Sequence, residues 1–402
     1  MLMTTSITLT AQEVTLDAAR KKAAQFLTNH HNRACPARKA PRKLPHLVLV
    51  DDRDEFYVFN DEANGCFIIM SADERMPSIL GYSDHSLFDS NNIPCGLNML
   101  LEGYAEQVRH VRQQPVKKGD EREVEEWEED YITPMLSTSW NQAEPYYNQC
   151  PTIGGNHCVT GCEATAMAQI MAYYEWPKKT TQTIPGYTTE TRQLKIPAIE
   201  PTTIDWENML PTYQRNYYND EQAEAVATLM KLCGASFKMD YNLNESGGVG
   251  WSEAFVKYFD YDGGIRDIFY KDFEQYDWEK IIHNDLHEGR PVMYTGYSSY
   301  GTGHVFVIDG YDGSEEEHLF HVNMGWSGVA DGFYRLNSIP EYSANQYATI
   351  NIYPNDPQRP LPRAYGLISN EQLTLYYGKP DRSYSEGALI SLHEIKGNIA
   401  VR

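Results

Sequence analysis

The sequence predicts an α+β protein of two domains, a small N-terminal α+β unit and a larger one that carries the chemistry. Three observations predict it. The chain has 402 residues, long for a single core when a domain usually takes ~100–200. Residues 13–112 read as helix, three short strands and helix, a complete small unit. Residues 113–130 are charged and aperiodic, and from 131 to 354 the chain turns richer in glycine and aromatics.

The opening stretch, 1–12, lacks a positive n-region and fits either an ordinary start or the remnant of a signal peptide. Leu16 to Leu27 is an amphipathic helix, and Leu44 to Val50, Phe56 to Asn60 and Gly65 to Ser71 are strands by their β-branched and aromatic content. A second helix, Leu97 to Val111, closes the unit. No converging polar set marks a pocket there, so it reads as a folding or shielding module. Gln113 to Asp130, with Pro115, Lys117-Lys118 and an acidic run from Glu121, is a solvated linker of the kind proteases nick. It is read as a spacer or as a maturation site after the lysine pair.

Composition excludes several functions. Against 56 acidic side chains stand 34 basic ones, a net charge of −22, which repels nucleic acid and anionic membranes alike. Aromatics at 12% exclude a disordered acidic chain. No run approaches the ~18–20 apolar residues of a membrane span. The seven cysteines form no CxxC and, being odd in number, leave one thiol unpaired in a monomer. His157, Cys158 and Cys162 invite a metal, but no second ligand pair is evident; neither a metal nor a cofactor is expected.

The chemistry starts at Thr160-Gly161-Cys162. Met167, Ile170, Met171 and Tyr174 recur at helical spacing behind it, and Glu175-Trp176-Pro177 ends the helix. Cys162 then lies in the first turn, where the positive end of the helix dipole is expected to lower its pKa and make it a nucleophile. Tyr300 to Gly313 holds the second element: glycines, then His304 at the mouth of a buried apolar strand. The cysteine and this histidine are 142 positions apart, within the ~130–150 expected of a papain-type pair. Strands at Leu319 to Asn323 and Gly332 to Leu336 follow, and successive strands tend to pair. That places Asn323 and Trp326 near His304. Elsewhere, helices are expected at Glu221 to Cys233 and near Trp251 to Phe259, and a strand at Leu373 to Tyr377.

Trp140-Asn141-Gln142, Pro145-Tyr146, Thr160-Gly161-Cys162, Ala164-Thr165-Ala166, Ala168-Gln169-Ile170-Met171, Met239-Asp240-Tyr241, Gly303-His304, Phe306-Val307-Ile308-Asp309-Gly310, His321-Val322-Asn323, Gly325-Trp326 and Asp331-Gly332 follow one another in the chain. In this order they resemble the streptopain family of papain-like cysteine peptidases, including interpain-like enzymes. The N-terminal unit, through Tyr57-Val58-Phe59-Asn60 and Gly81-Tyr82-Ser83, is similar to the family's inhibitory prodomain. The resemblance implies a two-lobed papain-like fold, a helical lobe carrying Cys162 and an antiparallel β lobe carrying His304. It implies an endopeptidase zymogen, with Cys162 as nucleophile, His304 as proton acceptor and Gln142 as oxyanion donor. Asn323 and Trp326 would orient and cover the histidine, and Gly248 and Gly303 would hold substrate by their backbones. Partners would be peptide or protein substrates and the chain's own prodomain, and location would be secreted, cell-surface or periplasmic in a bacterium. Met324 departs from the family, which usually has tryptophan there. Residues 355–402 read as a tail or a truncated module. Competing readings are a transglutaminase-like cysteine acyltransferase and an inactive peptide-binding homologue.

Overall fold

The computed structural model of the chain describes residues 13–30, 44–114, 130–248, 252–273, 275–297, 303–313, 318–336 and 346–356. The N-terminal unit runs α1 (Leu16–His30), β1 (Leu47–Asp52), β2 (Phe56–Asp61), β3 (Cys66–Ser71), β4 (Ile79–Ser83) and α2 (Cys95–Gln113). Its two helices cover opposite faces of the strands. Ala19, Ala23, Phe26 and Leu27 of α1 cluster with Phe59, Ile68 and Met70, whereas Leu97, Leu100, Leu101 and Tyr104 of α2 cluster with Val58, Phe67 and Ile69. Successive side chains of a strand point to opposite faces. Burial on both sides therefore explains why all of β3 is buried and why its sequence is an unbroken apolar run.

Beyond β5 (Tyr131–Ile132) comes a helical part: the hairpin β6 (Thr152–Ile153) and β7 (Asn156–His157), α3 (Cys162–Tyr174), the hairpin β8 (Tyr187–Thr188) and β9 (Lys195–Ile196), α4 (Asp220–Ser236) and α5 (Glu253–Phe259). The sequence gives α3 one apolar face. In the structure Ala164, Ala166 and Ala168 are buried as well as Met167, Ile170 and Met171, because the helix is packed with Val226, Leu229 and Met230 of α4 and also with Val305 and Val307 of the sheet. The helix ends at Glu175, whose φ of +50° is left-handed, two residues ahead of Pro177.

The β part consists of β10 (Arg266–Phe269), α6 (Gln275–His287), β11 (Val292–Tyr297), β12 (Gly303–Asp312), β13 (Leu319–Asn323), β14 (Gly332–Tyr334) and β15 (Tyr347–Ile350). β12, β13 and β14 are antiparallel neighbours, as their short connections predict. β10, α6, β11 and β15 were not expected. The apolar residues of α6 that meet the core, Trp278, Ile282 and Leu286, are spaced at helical intervals but diluted by charge, and β10, β11 and β15 are short strands joined through β15 by pairings distant in sequence.

All these strands except the two small hairpins join one antiparallel sheet, ordered β1-β2-β3-β4-β14-β13-β12-β11-β15-β10, with β5 on β12. The two units that the sequence separates thus share a sheet, through the pairs Tyr82↔Phe333 and Gly81↔Tyr334. Two glycines allow that approach. A Cβ on Gly81 would stand 2.4 Å from the Tyr334 ring, and one on Gly332 would stand 2.4 Å from the Tyr82 carbonyl oxygen. Tyr82 stacks on Phe333 and donates to Asp312 Oδ2 at 2.9 Å. Ser83 donates to the Asp331 carbonyl at 2.6 Å. Residues 115–129, which hold most of the expected linker, and the expected strand Leu373 to Tyr377 lie outside the described residues.

Candidate active site

Gly161 precedes α3 with φ +90°, a conformation that side chains disfavour, and a Cβ there would also meet Met239 at 2.6 Å and the Ser246 carbonyl at 3.0 Å. Backbone and side chain of Thr165 both donate to the Gly161 carbonyl. The start of the helix is thereby fixed, and Cys162 is its first residue.

The thiol at that position behaves opposite to the sequence expectation. Its pKa lies well above the ordinary value, chiefly because the group is buried and next because the Glu163 carboxylate is adjacent, with the Val305 N–H opposing. Cys162 Sγ donates to Glu163 Oε2 at 3.3 Å. A helix terminus offers ~0.3–1 kcal/mol, up to ~2 when partly buried, and it is opposed here by both desolvation and a neighbouring negative charge. Burial wins, and the cysteine is a thiol in this state.

His304 is the second residue of β12 and is 2% exposed. Its Nε2 donates to the Met324 carbonyl at 3.0 Å, and burial pushes its pKa down to about 4. The imidazole is thus neutral at neutral pH, with its Nε2 engaged by Met324. What lies on it is the start of α2: a Cβ on Gly96 would be 2.6 Å from His304 Cδ2 and 2.8 Å from Met324 Sδ. Alanine at 96 would gain ~1 kcal/mol of helix propensity but overpack a buried ring, at a cost of ~1–3 kcal/mol. Gly96→Ala is therefore expected to lower the denaturant midpoint of the full-length chain, whereas propensity alone would raise it.

Gln142 and Cys162 line one small cavity with Val305, Asn323 and Met324. The Gln142 carbonyl accepts from Thr160 N–H at 3.2 Å, tying its loop to the cysteine turn, and its side-chain amide has no hydrogen-bond partner among the described residues. Asn323 is differently employed than expected. Its Nδ2 donates to the Thr138 carbonyl at 2.8 Å, and its Oδ1 accepts from Gln169 Nε2 at 2.9 Å and Gly325 N at 3.1 Å. With both ends engaged, it braces the 138–140 loop against β13 and does not hold the imidazole. The ring paired with His304 is Phe306, at 6.3 Å between centroids. Trp326 packs on the β-part core, with its indole N–H buried and unpartnered among the described residues. Gly248 donates its N–H to Glu163 Oε1 at 3.0 Å, and Gly303 pairs with Tyr297 at the first position of β12.

Sequence reasoning missed Glu163, Val305 and Gly96. Glu163 was visible as an acid in a helical first turn, the ordinary place for one. Nothing in the sequence announces that Gly96 meets His304, because that contact crosses between the two units. Two other histidines are occupied elsewhere: His157 stacks on Tyr147 with Nδ1 at the Cys150 carbonyl, and His321 pairs with buried Asp309 at 2.5 Å.

Comparison with known proteins agrees with this geometry. The profile of the peptidase C10 family matches residues 140–334, and that of the Spi protease inhibitor matches residues 11–108. Streptopain of Streptococcus pyogenes is 35% identical over 303 residues, 70% of this chain and 74% of that one. Thiol protease/hemagglutinin PrtT of Porphyromonas gingivalis is 28% identical over 388 residues, 89% of this chain and 44% of that one. A solved fragment of Prevotella intermedia prointerpain A superposes with a TM-score of 0.63 at 28% identity, covering 77% of this chain and 99% of the fragment. With a peptidase match over the helical and β parts and an inhibitor match over the N-terminal unit, the chain belongs to the peptidase C10 family and is the zymogen of a cysteine peptidase.

Proposed function

We propose that the zymogen becomes an endopeptidase when its prodomain is cut away within 113–130, and that Cys162, His304 and Gln142 carry out the reaction. One observation carries the reading. Cys162 and Val305, the residue next to His304, line one cavity that Gln142 also lines. Nucleophile and histidine-bearing strand thus meet at one cavity, and the reading requires the imidazole to reach the sulfur once the prodomain is gone. Removing α2 takes away Gly96, which holds the ring against Met324, and readmits water, which relieves the burial that keeps the thiol protonated and the imidazole neutral.

In the opened site the thiolate of Cys162, paired with protonated His304, attacks the peptide carbonyl. The Gln142 amide and the Cys162 backbone N–H receive the oxyanion, and His304 gives its proton to the leaving amine. Water, with His304 as base, then hydrolyses the thioester. Export from a bacterial cell belongs to the same reading and rests on family resemblance; no helix among the described residues is long and apolar enough to cross a membrane.

An epoxide thiol-peptidase inhibitor tests the proposal. It is expected to label Cys162 in the processed chain and not in the intact precursor. Processed protein that is neither labelled nor able to cut peptides would overturn the reading, and transfer of the acyl group to an added amine in preference to water would favour the acyltransferase. Gln142→Ala is expected to lower kcat by about 10²–10³-fold while leaving epoxide labelling in place.

A further inference from the structure

Glu163 touches both partners of the proposed reaction. Its Oε2 lies 3.3 Å from Cys162 Sγ, and its Oε1 accepts the N–H of Gly248 at 3.0 Å, the backbone that family resemblance assigns to holding the substrate strand. The carboxyl therefore sits between the point of attack and the place where the peptide is gripped. Burial, followed by the charge of Glu245, pushes its pKa up. No cation pairs with it among the described residues. A carboxylate so placed works against the neighbouring thiolate unless something positive joins it, and a buried charge is retained where it is paired. In the precursor the neighbouring space holds the start of α2, whose first turn carries no acid and whose Gly96 packs on His304.

We infer that Glu163 is a specificity-determining residue, receiving the lysine or arginine side chain of the residue whose carbonyl Cys162 attacks. The inference rests on the peptidase reading above and names its substrate class. The residue between the attacked carbonyl and the strand held at Gly248 is the one whose side chain passes Glu163. Lysine and arginine carry their charge on a long flexible stem, and arginine meets a carboxylate bidentately. Neutralising Glu163 in this way removes its opposition to the thiolate, so a basic residue favours both binding and attack. A separate feature of the sequence agrees: the linker that maturation must cut carries Lys117-Lys118 and Arg122.

The test uses processed wild-type enzyme, titrated with the epoxide inhibitor, and four peptides that differ only in the residue before the scissile bond: Arg, Lys, Gln or Glu. Expected kcat/KM for the Arg and Lys peptides is about tenfold or more above that for Gln, with Glu lowest. In Glu163→Gln the Arg-to-Gln ratio falls to within about threefold, and in Glu163→Lys the Glu peptide overtakes the Arg peptide. Rates per titrated site keep a misfolded fraction out of the comparison, and the wild-type series decides even where a variant does not fold. A wild-type ratio within about threefold, or an unchanged ratio in Glu163→Gln, overturns the inference and leaves the peptidase standing. Absence of both labelling and cutting defeats the peptidase reading and the inference with it.

Discussion

Replacing Cys162 with alanine is expected to leave the precursor at full length and to lower peptide turnover by roughly 10⁶-fold. The proposed mechanism forms a covalent bond to Sγ, and alanine offers no atom to form it. Residual acceleration would come only from the oxyanion donors and from substrate positioning, which alone retain ~10³–10⁴ over water in enzymes of related design. Stability is not what fails. Sγ makes one weak contact, to Glu163, whereas the start of α3 is held by Gly161 and Thr165. Electrophoresis of wild-type and Cys162→Ala precursors over time, with peptide turnover on linker-cleaved samples, checks it. Wild type should shorten to a core starting between 113 and 131, and the variant should not. A variant that matures at the wild-type rate while kept free of other proteases would mean that Cys162 does not cut its own linker.

The second large effect concerns His304. In the precursor burial pushes its pKa down to about 4 from an ordinary 6.5, which corresponds to roughly 3 kcal/mol of preference for the neutral ring. For a histidine with a lowered pKa, this stabilisation of the closed state is present above pH 6.5 and is lost as pH falls towards 4. Acid is therefore expected to loosen the hold of α2 on the cleft. Global unfolding would not isolate the effect. Buried Asp331, on the seam with the prodomain, has its pKa pushed up to about 6, and its protonation favours the folded state over much of the same interval with opposite sign. Proton NMR of the imidazole resonances in the Cys162→Ala chain separates the two. His304 should titrate near 4 in the intact precursor and more than a unit higher once the linker is cut and the prodomain removed. An unchanged titration would show that α2 is not what keeps the ring dry.

Local pattern made much of this protein legible. The Cys162 helix, the His304 strand and the two strands after it were readable because each has an apolar period of its own, and α1 and α2 for the same reason. Their ends were read up to three residues short, as at Leu16–His30, where exposed Thr28 and Asn29 extend the helix without adding to its period. Gln142 was singled out through the order of family motifs, and the structure sets it beside Cys162. Asn323 was expected at the histidine and instead spends its amide on Thr138, Gln169 and Gly325. A strand's sequence tells which neighbours it has, but not which of several nearby amides its side chain will meet.

The sequence by itself determined the class of chemistry, because the order of its motifs marks a cysteine peptidase and local period marks the helix that starts at Cys162 and the strand that holds His304. Only the tertiary structure decided the state of that chemistry. Whether Cys162 is a thiol or a thiolate, and whether His304 is neutral and turned to Met324, depends on burial beneath α2 and on the carboxylate of Glu163. Burial and charge act through space between segments far apart in the chain, and no reading of either segment alone contains them.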